Sequence, residues 1–144
     1  MIRRGAFTGI ISGILMGVFI KALEVLSGKK VYVLLLNVDF IPGFKDSNLS
    51  ELTEFSLHLI VAVLIGIMFA FIIEHFHFVD KRRQYLVSIA ITFPTILLYF
   101  PLTILAIKET PSTNDAVAIL LWSIGHLAFA VFLPIFYKTT NQKG

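Results

Sequence analysis

The stretch GAFTGIISGILMGVFIKALE, residues 5–24, decides the fold. Glycine falls at Gly5, Gly9, Gly13 and Gly17, and the next step of the same spacing is Lys21. No charge interrupts the segment before Lys21. Together with Val25 and Leu26 it is long enough to cross a bilayer as a helix, which takes about 20 apolar residues. A helix turns about 100° per residue, so steps of four drift by about 40° and the glycines form one slowly winding row. Small residues at this spacing let two helix backbones approach closely. Lys21 continues the row, and Glu24 lies only about 20° from Gly17 around the helix. Both therefore extend the packing face instead of pointing into lipid.

The rest of the chain has the same character. Its 144 residues are 57% hydrophobic and 15% charged, with a mean hydropathy of +0.87. Soluble domains carry about 25% charged residues. The charges here cluster between long apolar runs, the pattern of a polytopic membrane protein. There is no cysteine, which excludes disulfides, thiolate metal sites and cysteine nucleophiles. A net charge of +3, with no basic face interleaved with aromatics, argues against nucleic acid.

Four segments qualify as spans: about 5–26, 52–74, 84–107 and 115–137. The expected fold is an all-α, four-transmembrane-helix bundle forming one membrane domain over residues 1–144. Arg3 and Arg4 before an apolar run also suit a signal peptide. The run is long and has no clear small-residue cleavage site, so it reads as an uncleaved first span. Basic residues set the orientation. With the N-terminus inside, Arg3, Arg4, Lys81, Arg82, Arg83, Lys138 and Lys143 face the cytoplasm, and Lys29, Lys30, Lys45 and Lys108 face out. That asymmetry, concentrated in DKRRQ (80–84), predicts both termini inside. It suits a multi-pass protein of a bacterial plasma membrane.

The outer loop, 28–51, contains VYVLLLNVDFIPGF (31–44). This run is too short to span and too apolar to sit in water. Two readings stay open: an interfacial segment on the outer leaflet, or a flap over the mouth of the bundle bent at Pro42 and Gly43.

The second span carries a matching row, Glu54, His58, Ala62, Gly66, Ala70 and Glu74, again spaced by four. Facing rows would pack glycine on alanine and glycine through the core. At the outer end, Lys21 and Glu24 would then meet Glu54 and His58. The fourth span adds Ser123 and His126, near mid-membrane. The third adds Ser88, Thr92, Thr95, Tyr99 and Thr103, with Pro94 and Pro101 as kink points. Ionisable residues within a membrane cost about 2.5–3.5 kcal/mol each and persist when paired or lining water. The candidate ligand- or ion-binding set is Lys21, Glu24, Glu54, His58, Tyr99, Ser123 and His126. A structural ion-pair network closing the first two spans is the competing reading.

Glu54 and His58 share a helix face, and His126 would complete a metal site. A haem between His58 and His126 is a related option, although the two differ in depth by about 7 Å. No cofactor is otherwise indicated. No nucleophile motif, phosphate loop or dinucleotide fingerprint occurs, and the two halves do not repeat as in inverted-repeat transporters.

Several segments together resemble the YagU-type inner-membrane proteins, a family without an assigned biochemical function. They are GIISGILMGVFIKALE, His58 followed by GIMFAFIIEHF, YFPLTILAIKETP, and SIGHLAFAVF. The resemblance implies four spans and singles out Lys21, Glu24, His58, Gly125 and His126. Three features depart from the family: VLSGKK (25–30) replaces its proline-proline-arginine run, the outer loop is short, and Trp122 stands where it has an acid.

The expected function is non-enzymatic: an outward-facing polar cluster that binds or conducts a small polar ligand or ion. One alternative is an accessory or assembly subunit docking a partner membrane protein, or a second copy of itself, through the glycine-rich first helix. A metal or haem protein is the other.

Overall fold

The computed structural model describes residues 1–44 and 49–138, so Lys45 and Lys143 lie outside the described residues. Among the described residues six helices follow one another: α1 (Ile2–Ser27), α2 (Val31–Leu36), α3 (Glu51–His75), α4 (Lys81–Leu97), α5 (Tyr99–Leu105) and α6 (Ala116–Phe136). No strand occurs among the described residues. Four helices are long and apolar enough to cross a membrane: α1, α3, α6 and the α4–α5 pair, Lys81–Leu105. The chain is an all-helical membrane bundle.

Local chemistry sets the boundaries. The Ser50 hydroxyl accepts from the Thr53 amide at 3.2 Å, and Asp80 accepts from the Arg82 amide at 3.3 Å. Asp115 accepts from the Ala118 amide at 3.1 Å. Each satisfies an amide that helix geometry leaves free. Gly28, at φ 71, ends α1 in the left-handed conformation and returns its N–H to the Glu24 carbonyl. The third span stops at Leu105, short of the expected 107. The amides of Ile107 and Lys108 instead donate to Asp39 Oδ2, at 3.0 and 2.6 Å.

Side-chain size sorts the surface from the interior. Phe7, Val18, Leu64, Leu120 and Ile104 are exposed, forming an apolar surface suited to lipid. The buried face of α1 is small or polar: Gly5, Thr8, Gly9, Ser12, Gly13 and Gly17 line it with Met16 and Ile20. Membrane helices pack this way because lipid tails are as apolar as leucine, so close backbone approach drives association.

The closest approach joins α1 to α3. A Cβ on Gly5 would lie 2.7 Å from the Gly66 carbonyl oxygen and 2.9 Å from Ala70 Cβ. One on Gly9 would collide with the Ala62 carbonyl, and one on Gly13 would lie 2.7 Å from Ala62 Cβ. A side chain at Gly125 of α6 would overlap Ile20, so α6 seats against α1. α6 in turn holds α4 through Ser88, whose hydroxyl donates to the Ala130 carbonyl at 2.5 Å.

The third span breaks at Leu98. Pro101 has no N–H for the Leu97 carbonyl, so the helical ladder fails there. Trp122 of α6 reaches this break, its indole N–H donating to the Ile96 carbonyl at 3.1 Å and the Thr95 carbonyl at 3.3 Å.

The start of α1, the end of α6 and the α3–α4 turn share one end of the bundle. There the Tyr137 hydroxyl donates to Glu74 at 2.7 Å, and the Lys81 ammonium donates to the Pro134 carbonyl at 2.6 Å. The opposite, loop end carries the connections α1–α2–α3 and α5–α6.

Candidate functional site

A cavity of about 350 Å³ opens within the bundle toward the loop end. That volume is at the lower end of the range for small-molecule sites, about 300–1,000 Å³. One wall is α3, contributing Glu54, Leu57, His58, Val61 and Ile65. Thr95, Leu98 and Leu102 form the facing wall, Trp122, His126 and Phe129 of α6 the back, and Met16 the contribution of α1. The roof is the segment from Leu35 to Phe44, with Leu36, Asn37, Phe40 and Ile41 turned into the space.

Seven residues of the apolar outer-loop run, between Leu35 and Phe44, line the cavity. The roof is fastened from several sides. Val31, Leu34 and Leu36 of α2 are buried. Glu24 Oε2 accepts the amides of Tyr32 at 2.7 Å and Val33 at 3.1 Å. Asp39 holds the amides after α5, as described above. Lys29 pairs with Asp115 at 2.7 Å, and Lys30 pairs with Glu109. The lysine hydrogen bonds hold the carboxyls of Asp115 and Glu109 below their ordinary range. Burial, with the Glu51 hydrogen bond next, pushes the Tyr32 phenol up to about 12.

Of the seven residues expected to bind ligand, the structure brings three together: Glu54, His58 and His126. The other four serve elsewhere. Lys21 pairs with Glu51 at 2.5 Å instead of meeting Glu54, and its ammonium lies 5.1 Å from the Tyr32 ring centroid. Glu24 caps α2. The Tyr99 hydroxyl donates to the Ser112 carbonyl at 2.8 Å, tying α5 to the loop before α6. The Ser123 hydroxyl donates back to the Ile119 carbonyl at 2.8 Å within its own helix.

Glu54 is buried and ion-paired with Lys108, so the cavity carries no unbalanced carboxylate from it. His126 Nδ1 lies 2.9 Å from the Trp122 carbonyl, and its ring centroid lies 4.3 Å from that of Trp122. His58 Nε2 and Asn37 Nδ2 are both buried without a hydrogen-bond partner. Buried polar atoms without partners cost about 1–3 kcal/mol each.

Among the described residues, no three His, Asp or Glu side chains converge to hold a metal ion. Glu54, one of the two ligands expected from α3, is ion-paired with Lys108 instead. The glycine row that would dock a partner helix is covered by α3.

The residues that sequence reasoning missed are Asn37, Asp39, Glu51, Lys108 and Trp122. Asn37 and Asp39 carried a readable signal: two polar residues inside an otherwise apolar run need buried partners. The pairing of Glu54 with Lys108 spans 54 positions, and no local pattern announces it. No protein-family model, curated protein or solved structure matches the chain.

Proposed function

We propose that this is a small ligand-binding protein of a bacterial plasma membrane, with both termini in the cytoplasm and the cavity facing the outer leaflet. The basic residues Arg3, Arg4, Lys81, Arg82, Arg83 and Lys138 at the terminal end support that orientation. The observation that carries the reading is the roofed cavity lined by His58 and Asn37, whose Nε2 and Nδ2 atoms are buried without a hydrogen-bond partner. Orphaned polar groups in a largely apolar pocket are the usual means of fixing a ligand's orientation.

Glu54, His58 and His126 are its titratable lining, and Asn37 is the roof's contribution. Binding, not conduction, is the activity proposed, because the α1–α3 seam is tight and the segment over the cavity is fastened to its neighbours. The resemblance to the YagU-type proteins is compatible with this reading, since two of the five residues it singles out, His58 and His126, line the cavity.

Native mass spectrometry of the protein gently extracted from its own membrane tests the proposal. Wild type is expected to retain a small-molecule adduct. Leu57→Trp with Leu102→Trp fills the cavity and is expected to lose it while keeping the thermal midpoint within a few degrees. A bare wild-type mass, or an adduct indifferent to filling, would refute the assignment.

A further inference from the structure

Resting on the cavity reading above, we infer that the ligand is a single-chain lipid with an uncharged hydroxyl head, entering sideways from the bilayer between α3 and the α4–α5 pair.

Three of the polar groups sit at the loop end of the cavity, and His126 lies about halfway along α6. Asn37 is in the roof, and Glu54 and His58 lie on the first two turns of α3. Below them the lining turns apolar: Val61, Ile65, Met16 and Phe129. At 1.5 Å per residue, Ile65 lies about 10 Å deeper than His58 along α3. A lipid in the adjoining leaflet has the same polarity gradient, with its head near the surface and its chain inward. It can enter without turning over.

The hydrogen-bonding groups define the head. The Asp39 amide donates to Asn37 Oδ1 at 3.2 Å, which fixes the orphaned Nδ2 as a donor. The Trp122 carbonyl can only accept, so His126 Nδ1 carries the proton and its Nε2 holds a lone pair. A hydroxyl serves both groups, accepting from the amide and donating to the imidazole. His58 Nε2 adds a further unpartnered position at the same end. Charge argues against an ion. The Glu54 carboxylate is balanced by Lys108, and the apolar lining supplies few of the six or more oxygens a hard cation takes.

Exposure locates the door. Ile60, Val61 and Leu98 line the cavity yet are 56%, 49% and 47% exposed. They lie on spanning helices, so the medium they meet is lipid. The segment from Leu35 to Phe44 overlies the loop end.

Trp122 is the only tryptophan in the chain, and it lines the cavity while only 2% exposed. Bromine quenches tryptophan on contact, so Trp122 reports on what enters. The wild-type protein, in nanodiscs, is titrated with hexadecanol brominated in mid-chain. Its methyl ether and a brominated phosphatidylcholine serve as controls at equal mole fraction. The alcohol is expected to quench with about fivefold higher apparent affinity than the ether, the effect of one net hydrogen bond. Asn37→Leu and His126→Leu should each bring the alcohol down to the level the ether shows in wild type. Equal quenching by all three probes means general lipid contact and overturns the inference. Displacement of the native adduct by water-soluble solutes, with no response to the alcohol, also overturns it but leaves ligand binding standing. An empty wild-type cavity in the mass spectrum removes the underlying reading itself.

Discussion

Gly9 and Gly17 belong to one row but face different neighbours, and the difference is testable. A methyl group on Gly9 would strike the Ala62 carbonyl and lie 2.9 Å from Val63 Cα, both backbone atoms that cannot step aside. One on Gly17 would meet only the edge of the Phe55 ring, which can rotate away. Overpacking of this kind costs about 1–3 kcal/mol. Gly9→Ala is expected near the upper end and Gly17→Ala well below it, measured by reversible unfolding in mixed micelles. An equal cost at both positions would mean that backbone approach does not control the α1–α3 seam. This facing of small residues was legible because a spacing of four on a helix assigns a face without further information. The role of Lys21 was not. A flexible ammonium within reach of several carboxylates chooses by packing, and here Glu51 lies nearer than Glu54.

At the scale of elements, α2 has only six residues, too few to be stable alone. It survives because Glu24 Oε2 accepts two of its early amides and because the residues it buries stand beneath the roof. The expected outcome for Glu24→Ala is faster hydrogen exchange across 31–36, with little change in α3. Glu24→Gln retains a neutral acceptor and should fall between. Asp39→Ala should loosen a different stretch, 37–44 together with 106–109, since its carboxylate joins those two segments. If Glu24→Ala leaves exchange over 31–36 unchanged, packing alone sustains the helix. The sequence announced this segment as too apolar for water and too short to span. What it covers was not legible, because hydrophobic periodicity reports a face and never the identity of the surface against it. The break at Leu98 was half legible: prolines at 94 and 101 mark weak points, but the indole of Trp122 at the freed stretch comes from another helix.

At the scale of the molecule, the bundle is fixed differently at its two ends, and pH separates them. Lys29–Asp115 and Lys30–Glu109 tie the α1–α2 connection to the loop before α6. Both carboxyls are held below their ordinary values by their lysines. A depressed carboxyl contributes stability that is fully present above its unfolded value, about 4. That contribution disappears as pH falls through the lower folded value. Tyr32 works in the opposite direction. Its phenol is raised to about 12, so its contribution is whole below about 10 and is lost as pH rises through about 12. The loop end should therefore stay closed from about pH 5 to 9 and loosen on either side. Protection factors for the Val31–Leu36 amides, corrected for intrinsic exchange and compared with those of α6, measure this directly. They should be flat across the neutral window and fall below about pH 4, while α6 stays protected. Asp115→Asn with Glu109→Gln should reduce the acid-side fall and lower protection at neutral pH, while Glu51, also held low by its bonds from Lys21 and Tyr32, carries the remainder. A fall between pH 7 and 5, where neither carboxyl titrates, would place control of the roof in a group other than these two pairs.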